Sequence, residues 1–461
     1  MVKMKKTDSA IPLLVVVGGG PKAAALAAKA RVLKELGKGE IRVKVLEREK
    51  DMAANWRGRN GYTTGNVQLC TPPEKDVGFP YTSIYGADVD KRMLAEYSWH
   101  AYKILVDKSS YSDWVDSGRE HPSHKEWADY LKYILMTGPQ AKSYAVSDAF
   151  EGDDVVSVHE STEVQLIEPA KGKVLVQAKY RGRQKAIEAD GVVLTGPGDP
   201  ILIQDTVVDS QPALFDGRDY WKNTSRFSEM VAGKIAVIGG GETAASCVLS
   251  LLELTHGSSV GIDIINRHGA IFTRGESYNE SRRFSNPKGW LDLEIKDREE
   301  FIRRTDRGVF SVGAQRRLNK ARNIGYVSGE VVAVRSEQDK IKLELRLAVG
   351  NEVKNYDAVI VALGFNPWTA LNLLPSKFRP IAQTQQTRRQ LYADLERSID
   401  EYLCPSFEHI PGMKGVGFNV HLPMVAALSQ GPGFPTLCSL GHLSDRIISR
   451  YVPPPKPAGK T

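Results

Sequence analysis

Cysteine is scarce and scattered in this chain. Cys70, Cys247, Cys404 and Cys438 form no CxxC pair, which argues against a disulfide framework, a zinc site and a dithiol reductase, and no metal is expected. Long apolar runs are missing too. The longest, around Ile11–Val17, is too short for a bilayer span and has no cleavage site after it. There is no arginine-rich arm and no interleaved aromatic stripe. The net charge of +7 is spread along all 461 residues, so it reads as a basic surface suited to phosphate-bearing ligands rather than as a nucleic-acid interface. What remains is an ordinary globular composition, 41% hydrophobic and 25% charged, on a chain long enough for two or three domains. Residues 1–10 read as a polar, basic leader and residues 453–461, rich in proline, as a disordered tail. A cytoplasmic location is expected, with no membrane and no nucleic acid as partner.

Two glycine-rich phrases stand about 220 residues apart. Gly18-Gly19-Gly20-Pro21 follows the apolar run that ends at Val17, and Gly239-Gly240-Gly241-Glu242-Thr243 follows Ile235-Ala236-Val237-Ile238. Each reads as a buried parallel strand turning tightly into a helix whose first amides hold a pyrophosphate. Their continuations differ. The first leads to the strand 41–46 and ends on Glu47; the second leads to the strand 260–266 and ends on Arg267, with Arg274 nearby. A carboxylate there accepts hydrogen bonds from a ribose 2′-hydroxyl, whereas an arginine suits a 2′-phosphate. FAD is therefore assigned to the first site (Gly18, Gly20, Pro21, Glu47) and NADPH to the second (Gly239, Gly241, Glu242, Thr243, Arg267, Arg274).

The fold class that follows is α/β: two Rossmann-like dinucleotide-binding domains, for FAD and NADPH, plus a smaller, partly helical substrate domain. The FAD domain is expected over 11–200, with a helical insert at 82–136, and the NADPH domain over 201–365. A substrate-domain segment follows at 366–437, and the chain returns to the FAD domain at 438–452. Helices are expected at 23–36, 90–106, 123–136, 383–402 and from about 444 to 450.

Four further phrases keep this order and resemble the flavin-dependent N-hydroxylating monooxygenases, the family of the ornithine and lysine hydroxylases of siderophore pathways. Trp56 precedes Gln68 by twelve residues, similar to the family's spacing beside the flavin. Gly275 to Ser281 resembles its Asp-Ser-Pro-Phe-x-Asn-Glu segment, and Asp357 to Phe365 its Asp-x-x-x-x-Ala-Thr-Gly-Tyr strand. Gly441 to Ser449 resembles its C-terminal Gly-Leu-Ser-Asp-x-Leu-Leu-Ser. The resemblance implies that NADPH reduces FAD, O2 adds at flavin C4a, and a neutral amine takes the distal oxygen of the hydroperoxide. It also implies site residues: Trp56, Gln68, Leu443 and Ser444 beside FAD, Asn323 beside NADPH, and Lys75, Asn279 and Ser449 toward the substrate. No side chain is assigned a catalytic role beyond the flavin itself. The partners implied are a small amine and O2, in siderophore or natural-product biosynthesis; self-association is left open.

One departure bears on the substrate. The amino-acid hydroxylases follow their Met-Gln with a Phe-Leu-Lys-Asp phrase whose lysine binds the substrate carboxylate. Here Gln68 runs into Leu69-Cys70-Thr71-Pro72-Pro73-Glu74-Lys75-Asp76. Either Lys75 takes that role on a shortened loop, or the lysine is gone, or Lys75 and Asp76 are a surface pair. A diamine is then as admissible as an amino acid. The competing readings are another flavin monooxygenase that oxidises sulfides or ketones, a two-nucleotide NADPH reductase, and an NADPH sensor without activity. Residues 196–232 contain nothing like the Phe-x-Gly-x-x-x-His-x-x-x-Trp phrase of the Baeyer–Villiger enzymes, and a reductase lacks its redox pair.

Overall fold

In the computed structural model the described residues are 10–58, 63–106, 110–137, 154–207, 213–306, 308–337, 339–376, 385–407 and 419–456. Nearly all of the expected leader (1–9) and most of the expected tail (457–461) lie outside them.

The first strand, Leu13–Val17, is flanked in parallel by Arg42–Leu46 on one side and Gly191–Leu194 on the other. Val156–His159 and Val420–His421 complete a five-stranded parallel sheet at its two edges. The chain order across this sheet reverses at the first strand, which opens a crevice at the carboxyl ends of the strands. The helix Pro21–Glu35 covers one face. Its alanines at 23, 24, 25, 27, 28 and 30 are all fully buried, because a helix lying between a sheet and another helix has room only for small side chains. The other helix is the last one, Leu440–Ser449.

The second sheet repeats the plan. Ala232–Ile238 is central, with Ser259–Asn266 and Ile324–Ser328 on one side and Ala358–Val361 and Leu214–Asp216 on the other, all parallel. Each domain also carries an antiparallel layer, Thr162–Ala189 in the first and Glu330–Tyr356 in the second.

Three expected elements differ in detail. The helix read over 90–106 is two, Ala87–Tyr97 and Trp99–Leu105, because Ser98 leaves the helix and its side chain caps the second one by accepting from the Ala101 amide. The helix read over 123–136 begins with a Ser123/Glu126 capping box and ends its regular part at Lys132, in a wider turn over Tyr133–Thr137. The described residues of the segment after 366 join the first core: Leu371, Leu374, Leu395, Ile399 and Leu403 are buried in the same cluster as the first sheet. The two-residue strand Val420–His421 already joins that sheet, before the return expected at 438. Among the described residues no helix is long and apolar enough to cross a membrane.

Candidate functional site

The first glycine turn begins at the end of the Leu13–Val17 strand. Gly18 has φ +102°, a conformation that side chains rarely adopt, and a Cβ there would lie 2.6 Å from Thr195 Oγ1. A Cβ on Gly20, in contrast, would meet nothing within 4 Å. Gly20 opens the Pro21–Glu35 helix with no side-chain cap, and Pro21 occupies its first turn. An uncapped helix N-terminus facing open space is the cradle that a pyrophosphate requires. Glu47, half-buried at the end of the next strand, accepts from the Gly19 amide at 2.8 Å and from the Glu49 amide at 2.9 Å. Burial raises its pKa and the two amides oppose that rise. Lone pairs remain on both carboxylate oxygens for ribose hydroxyls. These residues fit the adenosine half of FAD.

The loop 63–70 is fastened to residues 121–125. Leu69 donates to the Pro122 carbonyl, His124 donates to the Val67 carbonyl, and Gln68 pairs with Ser123 in an isolated antiparallel bridge. The fastening leaves the Gln68 side chain exposed. Trp56 meets the His124 ring edge-on at 4.9 Å. Burial pushes the His124 imidazole down to about 4, so near neutral pH the ring beside Trp56 carries no charge.

The last helix fixes the other side. Its Gly441 amide donates to the Phe79 carbonyl at 2.7 Å. Asp445 pairs with Lys29 of the first glycine helix at 2.7 Å, both side chains almost fully buried, and accepts from Ser83 Oγ and the Ile84 amide. Lys22, in the first turn of the first helix, reaches the Pro435 carbonyl ahead of the last one. The two helices therefore run side by side in the same direction, N-termini together at the nucleotide end. Leu443 and Ser444 are fully buried in this contact.

At the second turn Gly239 has φ +147°, and a Cβ would collide with the Ala362 carbonyl. Gly241 opens the helix Glu242–Leu254, again without a side-chain cap. Thr243 is half-buried in that first turn. Arg267, just past the strand Ser259–Asn266, is exposed and makes no ion pair among the described residues, which leaves it open to a phosphate. Arg274 is committed differently. Its guanidinium lies 3.8 Å from Glu242, and Glu242 Oε2 in turn lies 3.4 Å from Cys70 Sγ of the first domain. Burial and this carboxylate push the Cys70 thiol up to about 12, so it is unreactive at neutral pH.

Between the two domains lies a cleft of about 530 Å³, lined among others by Lys75, Pro80, Tyr278, Ser281, Arg282 and His442. The helix Tyr278–Ser285 forms one wall, its start fixed by a Ser277/Glu280 capping box. Asn279 is exposed in its first turn. Lys75 Nζ is 3.8 Å from Cys438 Sγ and 5.9 Å from the centre of the Phe79 ring. The surface-pair reading of Lys75-Asp76 fails. Asp76 is 1% exposed and accepts from the Gly78 and Trp99 amides and from Tyr81 Oη. Burial pushes its carboxyl up to about 6 against those hydrogen bonds. Asp76 anchors the loop and leaves Lys75 to the cleft.

Two expected site residues are not brought here. Asn323 precedes the strand Ile324–Ser328, at the opposite end of the parallel sheet from Gly239. Its amide donates to the Val260 carbonyl and its own carbonyl accepts from Ile262, so it is spent on strand pairing, with no reach to NADPH. Ser449 closes the last helix, seven residues beyond His442, which is about 10 Å along the axis. Its hydroxyl donates to the Arg446 carbonyl, away from the cleft. Ser444 likewise donates within its own helix, to Gly441, so it contributes packing rather than a free hydroxyl. Arg282 and His442 escaped the sequence reading. Arg282 was legible as the residue one turn after Tyr278 on the same helical face; His442 had no such signal.

Residues 112–379 match the family of pyridine nucleotide-disulphide oxidoreductases. The chain is 36% identical over 445 residues to the L-lysine N6-monooxygenase MbtG of Mycobacterium sp. (strain MCS), covering 94% of each sequence. Among solved structures, lysine monooxygenase NbtG from Nocardia farcinica is 32% identical and superposes with a TM-score of 0.72, over 95% of this chain and 100% of that one. Ornithine hydroxylase PvdA from Pseudomonas aeruginosa, 19% identical, shares the fold with a TM-score of 0.68 over 96% and 99% of the two chains.

Proposed function

Since the chain belongs to the flavin-dependent N-hydroxylating monooxygenases, within the pyridine nucleotide-disulphide oxidoreductases, we propose that it hydroxylates the side-chain amine of L-lysine. The reaction balances as R-NH2 + O2 + NADPH + H⁺ giving R-NHOH + H2O + NADP⁺. Bound FAD supplies the electron and oxygen chemistry, and the chain supplies binding, orientation and shelter from water. In this reading Gly18, Gly20, Pro21 and Glu47 hold the adenosine diphosphate end of FAD, while Trp56 and Gln68 border its ring and Leu443 packs behind it. Gly239, Gly241, Glu242 and Thr243 receive the NADPH pyrophosphate at a helix N-terminus, and Arg267 takes the 2′-phosphate. Asn279 stands in the first turn of the wall helix but off the face that lines the cleft, so no substrate contact is proposed for it.

The observation that carries the choice of an amino acid over a diamine is Lys75. Among the described residues it has no carboxylate partner, its neighbour Asp76 is buried elsewhere, and it lines the cleft between the two domains. An ammonium so placed pairs with an α-carboxylate and leaves the far amine to reach the flavin. That amine must be neutral to act as a nucleophile, so turnover is expected to climb with pH below the lysine pKa of about 10.4.

The test is hydroxylamine formation by the FAD-loaded protein with NADPH and O2, screened over L-lysine, L-ornithine and cadaverine. A product from L-lysine exceeding the others supports the reading. Sulfoxide or ester products from sulfides or ketones, with no hydroxylamine from any amine, would refute it.

A further inference from the structure

We propose that Arg282 is a second specificity-determining residue, acting with Lys75 to select amines that carry a carboxylate over plain diamines; this rests on the reading above. Both cations line the same cleft, one from the loop of the first domain and one from the helix Tyr278–Ser285 of the second. Among the described residues no aspartate or glutamate lines it, and neither cation has an ion-pair partner. Two unpaired cations facing one cavity repel each other until an anion enters between them.

The guanidinium is also oriented in advance. Tyr278, one helical turn back, accepts from Arg282 Nη1 through its hydroxyl at 2.9 Å. The capping box at Ser277 and Glu280 fixes where that turn begins. At the other end of the helix His442 Nε2 lies 3.2 Å from the Ser285 carbonyl, which ties the arginine-bearing wall to the last helix of the first domain. Burial lowers the His442 pKa, which disfavours a third positive charge on this wall. The remaining donors of Arg282 form a planar fork that matches a carboxylate in two-point contact. Neighbouring Arg283 is no substitute, since its guanidinium turns toward the Gly289 carbonyl.

The experiment compares the FAD-loaded parent with Arg282→Gln and Arg282→Lys. It measures KM and kcat for hydroxylamine formation, and calorimetric Kd, with L-lysine and with cadaverine, the same amine chain without a carboxylate. Loss of a charged, two-point contact predicts that Arg282→Gln weakens L-lysine by about 10- to 100-fold in KM and Kd. Cadaverine binding and the kcat for L-lysine stay within about twofold, and Arg282→Lys recovers part of the loss. Equal weakening of both amines, or a rise in the KM for NADPH with the lysine-to-cadaverine preference intact, would overturn the inference while leaving the N-hydroxylase reading in place. A parent that hydroxylates no amine would instead overturn that reading, and the inference with it.

Discussion

At the residue scale, the two proposed nucleotide sites use side chains placed at strand ends. Glu47 uses each carboxylate oxygen once on backbone amides, 2.8 and 2.9 Å away. Glu47→Gln keeps the shape but turns an NH2 group toward one of those amides and removes an acceptor for the ribose. The dissociation constant for FAD, read by fluorescence titration of the apoprotein, is expected to rise about 10- to 100-fold, the range for a hydrogen bond to a charged group. An unchanged affinity would remove Glu47 from the site. Arg267 is the counterpart in the second domain. Arg267→Ala is expected to raise the KM for NADPH at least about tenfold with little effect on NADH, measured as the ratio of kcat/KM for the two cofactors. A ratio that does not move would mean that the exposed guanidinium is only solvated surface. Both assignments come from the sequence, because a strand followed by one charged residue is a local pattern, and the two measurements above test them. Asn323 was misread for the same reason. Its local phrase suggested NADPH, but parallel register carries it to the wrong end of the sheet, and register is a non-local property.

At the scale of elements, the contact between the first glycine helix and the last helix holds the FAD domain together across more than four hundred residues of chain. Lys29 and Asp445 are 1% and 3% exposed and 2.7 Å apart, with Ser83 bonded to both. Removing one partner strands a buried charge. Lys29→Met is therefore expected to cost about 3–5 kcal/mol in urea unfolding, and the double change Lys29→Met, Asp445→Leu to recover much of it. Loss of less than about 1 kcal/mol in the single variant would contradict this role. The alanine-rich run of the first helix was readable as a helix. Its pairing with Asp445 was not, since nothing local links residues so far apart. Helix ends were readable where a cap lies in the sequence, as at Ser123 and Glu126. The break at Ser98 was missed because apolar periodicity continues through it.

At the scale of the whole molecule, two domains built on one strand–turn–helix plan contribute walls to a common cleft, and the glycine turns announce both copies of the plan. The cleft was less legible. It draws Lys75 from one domain and Arg282 from the other, and no spacing rule relates residues across a domain boundary. The contact of Cys70 with Glu242, also between domains, was hidden for the same reason. The central claim, that this arrangement serves to place one oxygen atom on the side-chain amine of L-lysine, is tested most directly by isotope labelling. The FAD-loaded protein is supplied with NADPH, L-lysine and oxygen-18 gas, and the amino-acid product is examined by mass spectrometry. The account predicts a hydroxylamine carrying one labelled oxygen on the side-chain nitrogen, formed in step with NADPH oxidation. NADPH oxidation that yields only labelled hydrogen peroxide and unchanged lysine would contradict it.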